Sequence, residues 1–283
     1  MLGRELKKLR DRSGVSAAAA ARAIEVSPQT LWRMESGQEG PKLKELYVNV
    51  LCDLYGVSDS YTEVLVGLVG ETKKPGWWYG FVDSVPTEFD LFMGLEETTR
   101  RLTSFQQTLV PGLLQIPEYR RALAWTQFPT RSSEALEPWI EILVRRQQRL
   151  RDGDPDFEFR ALVCESALRN QVGSRGVMEE QLVHMATVGS LPNVSIRIVP
   201  QQAGNHLGLI AGSFVLMEFP VHRIEHLTEP PVIYVQGYTG ALYLDQDSEI
   251  RQYRAAVAEI QRMALDEPAS RQLLLETSKE YRA

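Results

Sequence analysis

Gln29, Thr30 and Arg33 are the residues of this sequence whose types and spacing suit a definite chemistry. Each carries hydrogen-bonding groups that match the edge of a base pair: a Gln amide pairs with adenine, an Arg guanidinium with guanine, and a Thr hydroxyl with a base or a phosphate. They lie on a helix that the sequence starts at Pro28, facing away from Leu31 and Met34, which supply the inward side, with Trp32 to one side. Ser16, Arg22, Ser27 and Lys42 complete the set of candidate DNA contacts around this helix. The same face also suits a plain solvated surface on a dimerisation module, and spacing by itself does not separate the two.

Groove readout needs the helix to project from a firm support, and the flanking sequence supplies one. Leu2, Leu6 and Leu9 recur on one face of a helix predicted from Met1 to about Ser13, which Gly14 ends. Ser16 stands as an N-cap before the alanine run Ala17 to Ala23, and Ser27 does the same before Pro28, a residue favoured at the first helical position. The small side chains of Ala20, Ala21 and Ala23 let one helix lie close to the next at a steep angle, so that the second is presented outward. This helix stops at Gly37; two more follow, at about Leu43 to Tyr55, closed by Gly56, and at about Asp59 to Val69. The expectation is an all-α, five-helix helix-turn-helix domain over residues 1–70.

The stretch ETKKPGWWYG mixes charge, Pro and Gly and reads as a linker over residues 71–80. Residues 81–283 read as a larger, mixed α+β domain with a mostly antiparallel sheet, expected to bind an effector or partner and to hold a dimer. Helices are predicted at about Glu88 to Gln106, Pro117 to Trp125, Glu137 to Arg151, Val177 to Val188 and Glu249 to Leu265. Strands are predicted at about Phe157 to Val163, Val194 to Ile198, Ser213 to Phe219, Val232 to Gln236 and Ala241 to Asp245, the last two joined by a hairpin turn at Gly237 to Gly240.

A net charge of -6 speaks against nucleic acid until it is divided along the chain. Up to Gly56 there are nine Lys and Arg against seven Asp and Glu, or +2, leaving 22 against 30, or -8, for the rest. A weakly basic head on an acidic body is what a protein shows when only the head approaches DNA.

The string GVS at Gly14 to Ser16 and VSPQTLWRMESG at Val26 to Gly37 resemble the XRE, or lambda-repressor-like, helix-turn-helix family. GWW at Gly76 to Trp78, LVPGLLQIPEYRRAL at Leu109 to Leu123, RRQQRL at Arg145 to Leu150, ESALR at Glu165 to Arg169, LPNVSIRIVP at Leu191 to Pro200 and GSFVLMEF at Gly212 to Phe219 resemble the second domain of WhiJ-like actinobacterial regulators. The two resemblances together cover nearly the whole chain. They imply a homodimeric, sequence-specific regulator of transcription that binds double-stranded DNA at a pseudo-palindromic operator. The family's second domain is sometimes described as antitoxin-like, which implies a small partner protein and, as the alternative, an interaction protein with weak DNA binding. Three residues depart from the XRE pattern. Ala17 stands where Gln is usual, Glu25 stands in the turn where Gly is usual, and Trp32 replaces a small polar residue. Glu35 fits a partner inside the domain better than one on DNA, because a carboxylate gains nothing beside phosphates.

Other constellations carry less. Cys52 and Cys164 sit in apolar surroundings and read as buried free thiols. His222 and His226 have metal-ligand spacing for a helix, but the prolines around them make the segment a loop, so no metal and no cofactor is expected. GNHLG at Gly204 to Gly208 lies between strands and is read as a loop with no helix opening after it. Ser166 lacks the flanking glycines of a nucleophile elbow, and no set of titratable groups assembles into a catalytic centre, so an enzyme is not expected. Trp77, Trp78 and Tyr79, with Phe81, are either rigid contact area for a ligand or partner or a clamp for the linker. No apolar run is long enough to span a membrane, and the charged, periodic N-terminus is unlike a signal peptide, so a cytoplasmic protein is expected.

Overall fold

In the computed structural model the chain forms two compact units, residues 1–77 with 222–229, and residues 78–221 with 230–283. The structure describes residues 2–36, 43–71, 77, 87–151, 156–224 and 227–282.

The first unit is helical: α1 (Leu2–Ser13), α2 (Ala17–Ala23), α3 (Pro28–Ser36), α4 (Glu45–Tyr55) and α5 (Asp59–Glu71). Leu2, Leu6, Ala20, Ala21, Leu31, Met34, Val48, Leu51 and Leu65 close its core. Gly56 adopts a left-handed φ of 71° and takes the C-cap of α4, a conformation that costs glycine little. Gly3 answers to a different constraint: a Cβ there would stand 2.0 Å from the Met34 carbonyl oxygen, so the first turn of α1 lies directly on the end of α3. One part of this core comes from far along the chain. Leu227 is 1 % exposed among these helices, Ile224 packs beside it, and Arg4 forms an ion pair with Glu229.

The second unit contains α6 (Thr87–Thr98), β1 (Arg101–Gln106), α7 (Pro117–Gln127), α8 (Ser133–Arg151), β2 (Glu158–Cys164), α9 (Glu165–Arg169), α10 (Arg175–Val188), β3 (Val194–Val199), α11 (Gly208–Ala211), β4 (Phe214–Glu218), β5 (Val232–Gln236), β6 (Ala241–Leu244), α12 (Asp247–Met263) and α13 (Glu267–Arg282). The six strands form one sheet in the order β3-β2-β1-β4-β5-β6. β1, β2 and β3 pair in parallel, whereas the β1–β4, β4–β5 and β5–β6 pairings are antiparallel, so the mixed sheet is mostly antiparallel, as expected. Alternation along the strands serves two cores. Phe159, Ala161, Val163, Ile196 and Met217 face the layer that includes Tyr119, Leu182 and Leu274, while Phe105, Leu162, Phe214 and Ile233 face Ile250, Ala256 and Ile260 of α12. The Gly237 N–H donates to the Gly240 carbonyl at 2.8 Å and closes the β5–β6 hairpin.

Two expectations are corrected here. The helix predicted from Glu88 to Gln106 ends at Thr98, and its second half is β1. Thr98 and Thr99 turn their hydroxyls back onto carbonyls of Gly94 and Leu95, and the strand that follows is paired on both sides, by β2 and β4. Helical periodicity over RLTSFQ therefore yields to two ladders of sheet hydrogen bonds. The second correction is α13, a helix of 16 residues absent from the sequence reading. Its Ser270 accepts the Ile198 N–H at 2.9 Å, and the Leu265 N–H just before it donates to the Ile198 carbonyl at 2.9 Å, so this segment covers the outer edge of β3.

Two of the strings that carried the resemblance, Leu109 to Leu123 and Arg145 to Leu150, take part in the polar frame of this unit. Gln181 of α10 donates to the Leu114 carbonyl at 2.7 Å and accepts the Ile116 N–H at 2.8 Å, while the Tyr119 hydroxyl accepts the Val110 N–H at 3.2 Å. Arg146 holds Glu96 through two bonds of 2.6 and 2.7 Å, and Arg149 reaches the carbonyls of Glu96 and Thr99. Side chains thereby serve backbone groups of non-helical segments around α7 and β1.

Candidate nucleic-acid interface

Two serines start the two helices of the helix-turn-helix. The Ser16 hydroxyl accepts the Ala19 N–H at 3.2 Å and caps α2. The Ser27 hydroxyl accepts the Thr30 N–H at 3.0 Å and lies 2.9 Å from the Thr30 hydroxyl. Both serines and Thr30 thus have local work in holding the helix starts, and Thr30 is half-buried. Between the helices the Glu25 N–H donates to the Arg22 carbonyl at 3.1 Å and the Val26 N–H to the Ala21 carbonyl at 2.9 Å. This is the paired closure of a Schellman motif, and it places Glu25 at a left-handed φ of 55°, the position glycine usually fills. Glu25 is the one non-glycine residue with positive φ among the described residues.

The buried side of α3 consists of Leu31, Met34 and Glu35. Glu35 is turned inward, and Arg10 of α1 grips both its oxygens, at 2.7 and 2.9 Å. The guanidinium is held charged, its pKa raised first by the hydrogen bonds to Glu35 and, against the cost of burial, by the charges of Glu35 and Asp11. The Tyr55 hydroxyl, also buried, has no hydrogen-bond partner among the described residues, and burial together with the Glu35 charge pushes its pKa up. Arg10 and Gly3 are the positioning residues that sequence reasoning missed. A glycine between two core leucines, in a helix, was the available signal for the second.

On the opposite side Gln29, Trp32 and Arg33 are exposed, as is Arg22 at the end of α2. Trp32 has 52 % of its surface accessible, a large value for an indole. The guanidinium groups of Arg22 and Arg33 make no ion pair or hydrogen bond among the described residues. Gln29 and Arg33 are four residues apart and share a face of α3, with Trp32 next to it. Ala17 and Ala18, exposed at the start of α2, present no side-chain donor to a phosphate. Lys42, and the stop at Gly37, lie outside the described residues.

The remaining candidates fall in other places. Trp77 is half-buried in the first unit; Trp78, Tyr79 and Phe81 lie outside the described residues. The His222 Nδ1 accepts the Ile224 N–H at 3.1 Å, and His226 is not among the described residues. Ser166 donates to the Gln107 carbonyl at 2.5 Å. Cys52 is buried, but Cys164, at the end of β2, is only half-buried, contrary to expectation; burial raises the pKa of both thiols. A helix does open after GNHLG, the single turn α11, which corrects the reading of a plain loop. Gly208 there leaves no room for a Cβ, which would stand 2.5 Å from Phe105. Among the described residues no helix is long and apolar enough to cross a membrane.

Residues 1–65 match a family model described as a helix-turn-helix domain, the architecture of a DNA-binding regulator. Residues 89–276 match one described as a domain of unknown function, DUF5753. No curated protein and no solved structure matches the chain. Because the second match takes in well over half of the 283 residues, the protein belongs to the DUF5753 family, in which it carries its domain behind an N-terminal helix-turn-helix.

Proposed function

We propose that the protein is a dimeric, sequence-specific regulator of transcription, not an enzyme, whose second domain responds to a small ligand or a partner protein. One observation carries the DNA-binding half: a serine-capped α3, braced from behind by the Arg10–Glu35 pair, with Gln29, Trp32 and an Arg33 unpaired among the described residues on its exposed side. Gln29 and Arg33 are the groups that read base edges; Ser16, Ser27 and Arg22 offer contacts to phosphates, and Thr30 does either. A single helix reads only a few base pairs, so two copies on a symmetric operator, with half-sites about 34 Å apart, supply the specificity. The resemblance to WhiJ-like regulators supports both the dimer and the responsive second domain.

Sites selected from random DNA by the full-length protein provide the test. Arg33→Ala is expected to lower affinity for the selected site by about 1–3 kcal/mol while leaving binding to scrambled DNA nearly unchanged. Equal loss on both would make Arg33 a phosphate contact. No enrichment of any sequence would overturn specific DNA binding and favour a protein whose output is partner binding. In sedimentation the full chain is expected to run as a dimer at micromolar concentration; a monomer bound singly to its site would overturn the symmetric arrangement.

A further inference from the structure

Burying a guanidinium without a counterion is unfavourable, yet Arg120 of α7 is placed in that way. It is half-buried, and its side chain makes no hydrogen bond or ion pair among the described residues. Its specific contact is the ring of Trp139 on α8, 5.4 Å from the guanidinium carbon to the ring centroid. The charge that reaches it is that of another cation, Arg146. Burial first, and Arg146 second, draw the Arg120 pKa down to about 10. Arg146 itself is satisfied, holding Glu96 with two hydrogen bonds. Glu96 is thus taken up by Arg146, and among the described residues no carboxylate is paired with Arg120.

Two neighbouring groups also lack partners. Trp139 is 9 % exposed, and among the described residues its indole N–H has no acceptor; Gln115 is 4 % exposed, and while its amide nitrogen donates to the Val110 carbonyl at 2.8 Å, its Oε1 has no donor among them. Such atoms are rare in folded proteins, and these two sit on adjoining elements. Gln115 leads into α7 through Ile116, whose carbonyl accepts the Arg120 N–H, and its own carbonyl accepts from Gln147 of α8 at 2.6 Å. Trp139 and Arg146, seven residues apart, lie on one face of that helix.

We propose that the junction of α7 and α8 binds a small molecule through a carboxylate, which the Arg120 guanidinium and the Trp139 indole N–H hold together. The Arg120 guanidinium, lying over the face of the Trp139 ring, offers a planar, two-pronged edge that matches a carboxylate better than a tetrahedral dianion. A guanidinium with no carboxylate partner among the described residues suits a monoanion. The proposal rests on the effector half of the reading above and is independent of the DNA-binding half, so it is tested without DNA.

The experiment is thermal unfolding of the full-length protein in acetate, glycolate or benzoate against sodium chloride at equal ionic strength, with inorganic phosphate as a further arm. Wild type is expected to gain Tm saturably with at least one carboxylate. Arg120→Met, which keeps the packing and removes the charge, is expected to lose that gain while its own Tm without ligand stays level or rises by about 2 °C or more. Arg120→Lys keeps the charge but not the fork, and should bind the carboxylate about tenfold more weakly. A fall in Tm or a failure to fold on Arg120→Met would make the arginine structural and overturn the proposal. So would equal carboxylate responses in wild type and variant, no carboxylate response at all, or a stronger response to phosphate.

Discussion

At the scale of single residues the helix-turn-helix combines one conformational cost with one firm ion pair. Glu25 occupies the left-handed position that ends α2, exposed to solvent, with a Cβ that this region of backbone space penalises. Glu25→Gly is therefore expected to stabilise the first unit by up to about 1 kcal/mol, read as a shift in denaturation midpoint. The gain is small because glycine also loosens the unfolded chain; a clear loss of stability would mean that the glutamate side chain makes a contact worth more than the strain. Arg10 and Glu35 work in the other direction. Their pair is nearly buried, with 12 % and 4 % of the side chains exposed, and it ties the inner side of α3 to α1. A pair of this kind adds less to stability than to definition, because each charge lost water to form it. Its consequence is that α3 is held at one angle, with Arg33 on the far side.

Individual elements respond to solution conditions through the groups they bury. His184 of α10 is half-buried, and burial, followed by the nearby positive charge of Arg151, lowers its pKa from the usual 6.5. The folded state thus takes up a proton less readily than the unfolded chain. The unfolded state binds more protons as pH falls through about 6.5, so stability declines there, and it is fully present above that pH. The second unit is expected to melt at a lower temperature at pH 5.5 than at pH 7.5, and His184→Gln should flatten this part of the profile. An unchanged slope in the variant would assign the pH dependence to other groups. The same helix anchors the frame of this unit through Gln181, which bonds the backbone of the turn before α7 on both its donor and its acceptor side.

For the whole molecule the decisive feature is that the first unit is built from two distant stretches of chain. The path leaves β4 at Glu218, contributes Ile224 and Leu227 to the helical core, and returns as β5 at Val232. Leu227→Ala is expected to cost about 2–5 kcal/mol, the range for truncating a buried leucine, and to do so in the helical unit. Hydrogen exchange on the full chain would show it as lost protection in α1 to α5, with β1 to β3 unchanged. Unaltered exchange in those helices would mean that they hold together without the segment. Charge is also unevenly divided, +2 up to Gly56 and -8 beyond it. Affinity for scrambled DNA should therefore be weak and fall steeply with salt; submicromolar binding at physiological salt would contradict this picture.

The N-terminal region was legible because its signals are local. Ser16, Ser27, Pro28 and Gly56 mark ends of helices by the chemistry of a few neighbouring atoms, and α2 and α3 run from Ala17 to Ala23 and from Pro28 to Ser36, as their caps require. The inward turn of Glu35 was also readable, because a carboxylate gains nothing beside phosphates, and the strained place of Glu25 was readable from the Gly usual at that turn in the family it resembles. Partners distant in sequence were not. Nothing local marks Arg101 to Gln106 as a strand, because β1 exists through β2 and β4 on its two sides. Nor does local pattern place Leu227 in a core 150 and more residues away, or reveal that Arg120 meets an indole and no carboxylate. Periodicity and capping act over one or two turns of chain, whereas sheet pairing, shared cores and unpaired charges depend on which segments the folded chain brings together, and only the tertiary structure decides that.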